Sequence, residues 1–218
     1  MASRRSLALA AAVMAAALAP GKGGAPSAPW QESAPVEIKR GDIVLRRGDG
    51  LWTQWFVDAS TREKLYSHVG IAVTDGKAPM VVHSEADDMG ADGRVKRDRW
   101  SVFQAGSFAA AAYRISDDPA LRERIAQAAE RRLGMPFDPS FSLADTNRLY
   151  CSQFVRDAVN EAAGREVIGV TMQGGVAIVA VDDCYANARK IFSAGAPPAP
   201  KPYGLSLPRL QPGRDARP

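Results

Sequence analysis

The chain has 218 residues, 46% of them apolar and 24% charged, which suits one globular domain and excludes a disordered polymer, a collagen-like repeat or a membrane bundle. Its 28 basic and 24 acidic residues give a formal charge of +4, but residues 1–28 hold Arg4, Arg5 and Lys22 and no acid, so the remainder is close to neutral. The densest basic group, KRDRW at 96–100, contains an acid, and no nucleic-acid partner is expected without a clustered basic surface.

The opening MASRRSLALAAAVMAAALAP pairs two arginines with an apolar run over 7–19. This is the pattern of a secretory signal peptide, 1–19. The run is shorter than the about 20 apolar residues that a spanning helix needs, so export to a periplasm or the extracellular space is expected, with no stable membrane span after signal removal. Ala17-Leu18-Ala19 offers a small-x-small cleavage site, although Pro20 directly after it moves the cut further along. Residues 20–37 read as a Pro/Gly/Ala-rich linker, 38–193 as the folded domain and 194–218 as a Pro-rich irregular tail.

Within the domain, GDIVLRR begins with a turn pair and continues as a strand, and DGLWTQWFVDAS over 49–60 has apolar residues at helical spacing. Trp52, Trp55 and Phe56 are its packing residues. SHVGIAV and PMVVHSEA are β-branched strands around the turn TDGKAP. RDRWSVFQ reads as a short helix and AAAYRI as a strand. Asp117-Asp118-Pro119 then caps a helix whose Leu121, Ile125, Ala128, Ala129 and Leu133 share a face, with Gly134 as its stop. After the loop MPFDPSFSLADTNRL, where Asp138 and Asp145 are turn or capping residues, YCSQFVRDAVNEAAG forms a second helix. It points Phe154, Val155, Ala158 and Val159 inward and ends at Gly164.

Cys151 therefore lies in the first turn of a helix. The helix dipole and unpaired N–H groups there favour thiolate and can hold an oxyanion; equally, a cysteine followed by apolar residues at helical spacing is a core thiol. The other cysteine, Cys184, sits in VDDCYANARKIF and reads as a structural thiol early in a helix. Two cysteines are too few for a disulfide framework or a four-thiolate zinc site. One Cys151–Cys184 disulfide is the structural rival to a catalytic Cys151. The two histidines, His68 and His83, lie on the paired strands, and Glu85 shares the His83 face because alternate strand residues point the same way. This set lacks a further donor, so neither a metal nor another cofactor is expected.

In order, GDIVL, SHVGIAV, VVHSEA and RRLGMPFDPSFSLADTNRLYCSQFV resemble the YiiX/YaeF-like enzymes, a circularly permuted branch of the papain-like NlpC superfamily, over roughly residues 38–163. The resemblance implies an α+β fold, papain-like in circular permutation, with a small antiparallel sheet or partial barrel packed against helices. It places the base on His68, ahead of the nucleophile on Cys151, and the orienting acid on Glu85. His83 is the alternative orienting residue, since the related lecithin:retinol acyltransferase-like proteins use a second histidine. Tyr150 and Ser152 flank the thiol as oxyanion or pocket residues. The implied activity is a cysteine hydrolase acting through an acyl-enzyme on an amide, with a cell-envelope peptide as substrate. A lipid-derived ester or acyl-transfer substrate and a non-catalytic exported binding module are the alternatives.

Overall fold

A computed structural model of the protein describes residues 37–48, 51–74, 80–86 and 93–196. The expected signal peptide, nearly all of the linker, most of the TDGKAP turn, the side chain of Trp52 and residues 197–218 of the expected tail lie outside the described residues.

In chain order the elements are β1 (Ile43–Arg47), α1 (Leu51–Ala59), β2 (His68–Ala72), β3 (Met80–Glu85), β4 (Arg94–Arg99), α2 (Trp100–Phe103), β5 (Ala109–Arg114), α3 (Pro119–Glu130), α4 (Cys151–Ala163), β6 (Thr171–Gln173), β7 (Val176–Ile178), a 3-10 turn (Val181–Tyr185) and β8 (Arg189–Gly195). Six strands form an antiparallel sheet in the order β4-β3-β2-β1-β5-β8, and β6 and β7 form a separate hairpin. Helices α3 and α4 pack on each other and reach β2, while α4 also covers β3. This is the α+β architecture expected, a small antiparallel sheet packed against helices.

Strand alternation divides the core. Ile43, Leu45, Val69, Ile71, Val82 and Val95 meet Phe154, Val155 and Cys151 on the helix-covered face. Val44, Ala72, Val81 and Ala112 meet Trp100 and Phe103 on the other. The GD pair before β1 is structural. Gly41 has φ +85°, donates its N–H to Ala72 O, and has the Arg122 carbonyl oxygen 2.2 Å from where a Cβ would stand, so no side chain fits. Asp42 is fully buried and accepts from Lys39 N–H and from two Arg114 nitrogens at 2.7 and 2.8 Å.

Asp118 caps α3 through Ala120 and Leu121 N–H with Pro119 in the first turn, as the sequence predicts. The helix ends at Glu130, so Leu133 falls in the following turn and is 40% exposed rather than on the buried face. Gly134 (φ +88°) closes that turn. In α4, Phe154, Val155, Ala158 and Val159 are buried and Gly164 is a left-handed C-cap, as expected.

Three differences from the sequence reading affect the site. Arg97–Arg99 of RDRWSVFQ are strand, and only Trp100–Phe103 are helical; pairing with β3 overrides local helical spacing. Cys184 sits in a 3-10 turn rather than an α-helix. The sheet gains β8, which reaches Gly195, two residues into the stretch read as tail.

Candidate active site

The N-terminus of α4 is pinned from three sides. Asp138 is buried and organises the preceding loop by accepting from Ser140 N–H and Ser142 N–H, while Asp145 accepts from Asn147 N–H; both are turn residues as expected. Ser84 on β3 donates its hydroxyl to Leu149 O. Val179 donates its N–H to the Tyr150 hydroxyl at 2.8 Å and accepts from the Ser152 hydroxyl at 2.7 Å.

Cys151 emerges from this clasp at 1% exposure. Its sulfur stands beside the backbone N–H groups of Val69 and Ser152, both of which favour its ionised form. The Val69 donor is available because β2 pairs with β3 only through Ile71↔Val82 and Ala72↔Val81, leaving the His68 end of β2 unladdered on that side. No side chain caps α4, so its first N–H groups lack the usual side-chain acceptor.

Burial pushes the Cys151 thiol up to about 11, against the pull of the Val69 and Ser152 N–H groups and of Arg46. Desolvation thus outweighs the helix terminus and favours the thiol form, against the thiolate that helix position alone suggests. Cys184 is also a free, buried thiol, so the Cys151–Cys184 disulfide is not formed. Its sulfur lies 3.6 Å from Ser152 O, and burial raises its pKa well above the ordinary thiol value.

His68 follows the β2 alternation and turns to the face opposite Val69, where it joins a polar cluster; among the described residues its ring is hydrogen-bonded to His83 and not to Cys151. Its Nε2 lies 2.9 Å from His83 Nδ1, and His83 Nε2 lies 3.0 Å from Asp98 Oδ2. Phe103 covers both imidazoles, with ring centroids 5.7 Å from His68 and 5.2 Å from His83, and the Arg46 guanidinium stands 5.3 Å from the same ring. Burial and, after it, Arg46 hold His68 well below the usual imidazole range. Burial also lowers fully buried His83, against the pull of Asp98 and Glu85.

The orienting position is where the sequence reading changes. Glu85 forms ion pairs with Arg46 and with Lys96 (2.9 Å), and its nearest approach to the His83 ring is 4.0 Å. Burial opposes its ionisation, but His68, Arg46, His83 and Lys96 together keep its carboxyl below the usual range. The direct partner of His68 is His83, because two cations, Arg46 on β1 and Lys96 on β4, compete for the Glu85 carboxylate. Tyr150 and Ser152 are likewise committed to Val179 and fully buried, so their side chains do not line an open pocket. Trp55 stacks on Phe141 at 4.6 Å and Phe56 packs edge-on at 5.3 Å, the packing roles expected of them.

Asp98, Lys96, Arg46 and Phe103 were not singled out from the sequence. The signal for the first two was present: once KRDR is a strand, Lys96 and Asp98 alternate onto one face and register places them opposite His83 and Val81.

His68, His83 and Glu85 each offer one metal-ligand atom, all within 4.8 Å of one another. As arranged they do not suit a metal. The two imidazole nitrogens are joined by a hydrogen bond, and the Glu85 carboxylate is neutralised by Arg46 and Lys96, which would repel a further cation.

A family model described as permuted papain-like amidase enzyme, YaeF/YiiX, matches residues 37–183. Among solved structures the chain is similar to metalloprotein yiiX from Escherichia coli, with 21% identity and a TM-score of 0.58, over 73% of this chain and 98% of that one. At that identity the likeness speaks for the fold. No curated protein matches.

Proposed function

The chain belongs to the permuted papain-like amidases of the YaeF/YiiX family, and on that premise we propose that it is an exported enzyme that cleaves an amide in cell-envelope peptides through an acyl-enzyme on Cys151. Family membership makes it a papain-like cysteine hydrolase. The reading is supported by the place of Cys151 in the first turn of α4, packed with Val69, the strand residue next to His68.

His68 is held below the usual imidazole range and the Cys151 thiol above its own, so proton transfer accompanies attack. His68 takes the Sγ proton as sulfur bonds to the substrate carbonyl carbon. N–H groups in the first turn of α4 stabilise the oxyanion. The imidazolium returns its proton to the leaving amine, and water, deprotonated by His68, releases the acid and restores the thiol. His83 holds the imidazole through Nε2. The signal-like N-terminus supports export, and the amidase family supports an amide as the scissile bond.

The test is release of free amines from purified peptidoglycan by the wild type, Cys151→Ala and His68→Ala, beside release of fatty acid from phospholipid vesicles. Amine release by the wild type alone is expected. Fatty-acid release instead would make the enzyme a lipid esterase, and undiminished amine release by Cys151→Ala would remove the nucleophile.

A further inference from the structure

We propose that Asp98 is a positioning residue that fixes the tautomers of both histidines and so leaves His68 Nδ1 as the unprotonated, basic nitrogen. This rests on the reading of His68 as the base for Cys151.

Donors and acceptors must alternate along this series of side chains. A carboxylate only accepts, so Asp98 Oδ2, 3.0 Å from His83 Nε2, requires a proton on that nitrogen. A neutral imidazole carries one N–H, so His83 Nδ1 is then an acceptor. His68 Nε2, 2.9 Å away, must be the donor, and neutral His68 is left with its lone pair on Nδ1. Two hydrogen bonds in series thus set the base nitrogen from a residue that never meets the substrate.

The surroundings keep this order in place. Lys96 Nζ pairs with Asp98 at 3.1 Å, and the His83 and Lys96 contacts hold the Asp98 carboxyl below its usual range against its partial burial. The groups facing the two rings come from every strand around them: Arg46 on β1, Glu85 on β3, and Lys96 and Asp98 on β4. Arg46 disfavours protonation of His68, while Glu85 favours it. Phe103, 1% exposed, packs against both imidazoles. When His68 takes the thiol proton on Nδ1, both its nitrogens carry hydrogen and Nε2–H still donates to His83. His83 Nε2–H still donates to Asp98, and no proton leaves the pair.

Asp98→Asn replaces an obligate acceptor with an amide that can donate its NH₂ to His83 Nε2, which moves the His83 proton to Nδ1 and turns it toward His68. The probes are ¹⁵N chemical shifts of the two imidazoles and the rate of Cys151 alkylation by iodoacetamide from pH 6 to 10, in wild type, Asp98→Asn and Asp98→Glu. The wild type is expected to show His83 protonated on Nε2 and His68 on Nε2. Asp98→Asn should show His83 on Nδ1 and alkylation roughly 10- to 100-fold slower, with a changed pH profile, while Asp98→Glu restores both. A wild-type protein with His68 protonated on Nδ1, or Asp98→Asn with unchanged tautomers and alkylation rate, would overturn the proposal. If His68→Ala leaves alkylation unchanged, the parent reading fails; the tautomer assignment is still decided by the ¹⁵N shifts.

Discussion

His68 and His83 are joined ring to ring, Nε2 to Nδ1 at 2.9 Å, at the end of β2 where its ladder with β3 has already stopped. The same break frees the Val69 N–H for the Cys151 sulfur. Strand separation therefore serves both sides of the site, opening a donor to the thiol and leaving room for a side-chain bond between the imidazoles.

The first prediction separates His83 from Glu85. If His83 orients the base, His83→Ala lowers amide hydrolysis by roughly 10²-fold, whereas Glu85→Gln, which loses ion pairs with Arg46 and Lys96, costs less than about tenfold. Steady-state kcat on the amide substrate distinguishes them. A larger loss for Glu85→Gln would return the orienting role to the carboxylate.

Stability should fall on mild acidification. His68 and His83 have lowered pKa values in the folded protein, so below the unfolded value of about 6.5 the unfolded chain binds protons that the folded one refuses. Each imidazole held neutral removes up to about 1.4 kcal/mol per pH unit in that window. Glu85 and Asp98, lowered in the folded state, lose their contribution only as pH falls below the ordinary carboxylate range. The urea midpoint should accordingly decline between pH 7.5 and 5.5, and a flat midpoint would show that the pair is not held neutral.

Tyr150→Phe should act on stability. The substitution leaves the Val179 N–H without its acceptor in a fully buried setting, a loss of about 1–3 kcal/mol. Thermal unfolding should move down while KM stays the same. A raised KM at unchanged Tm would instead place the phenol against the substrate.

Much of this site is legible in the sequence, and the failures have a common origin. The helix behind Cys151 is written in Phe154, Val155, Ala158 and Val159, and β2 and β3 in their β-branched runs. What local pattern cannot supply is the pairing partner. RDRW has helical spacing, but register with β3 makes Arg97–Arg99 a strand, and only then do Lys96 and Asp98 face His83. The choice of His83 over Glu85 was similarly hidden, because it depends on Arg46 and Lys96 arriving from two other strands. Helix position alone suggests a lowered thiol pKa at Cys151; complete burial reverses it, and burial is a property of the packed domain.

Alkylation of Cys151, measured by peptide mapping after iodoacetamide treatment of wild type and His68→Ala across pH 6 to 10, tests the pairing of thiol and base most directly. With burial pushing the thiol up to about 11, thiolate is the minor form at pH 7. Labelling should therefore be slow and nearly level around pH 7, where His68 serves as the base, rise toward pH 10 as free thiolate forms, fall on Cys151 before Cys184, and drop at least tenfold at neutral pH when His68 is removed. A fast, pH-independent reaction between pH 6 and 8 would reveal a preformed thiolate–imidazolium pair, and labelling that ignores His68 would contradict its role as the base.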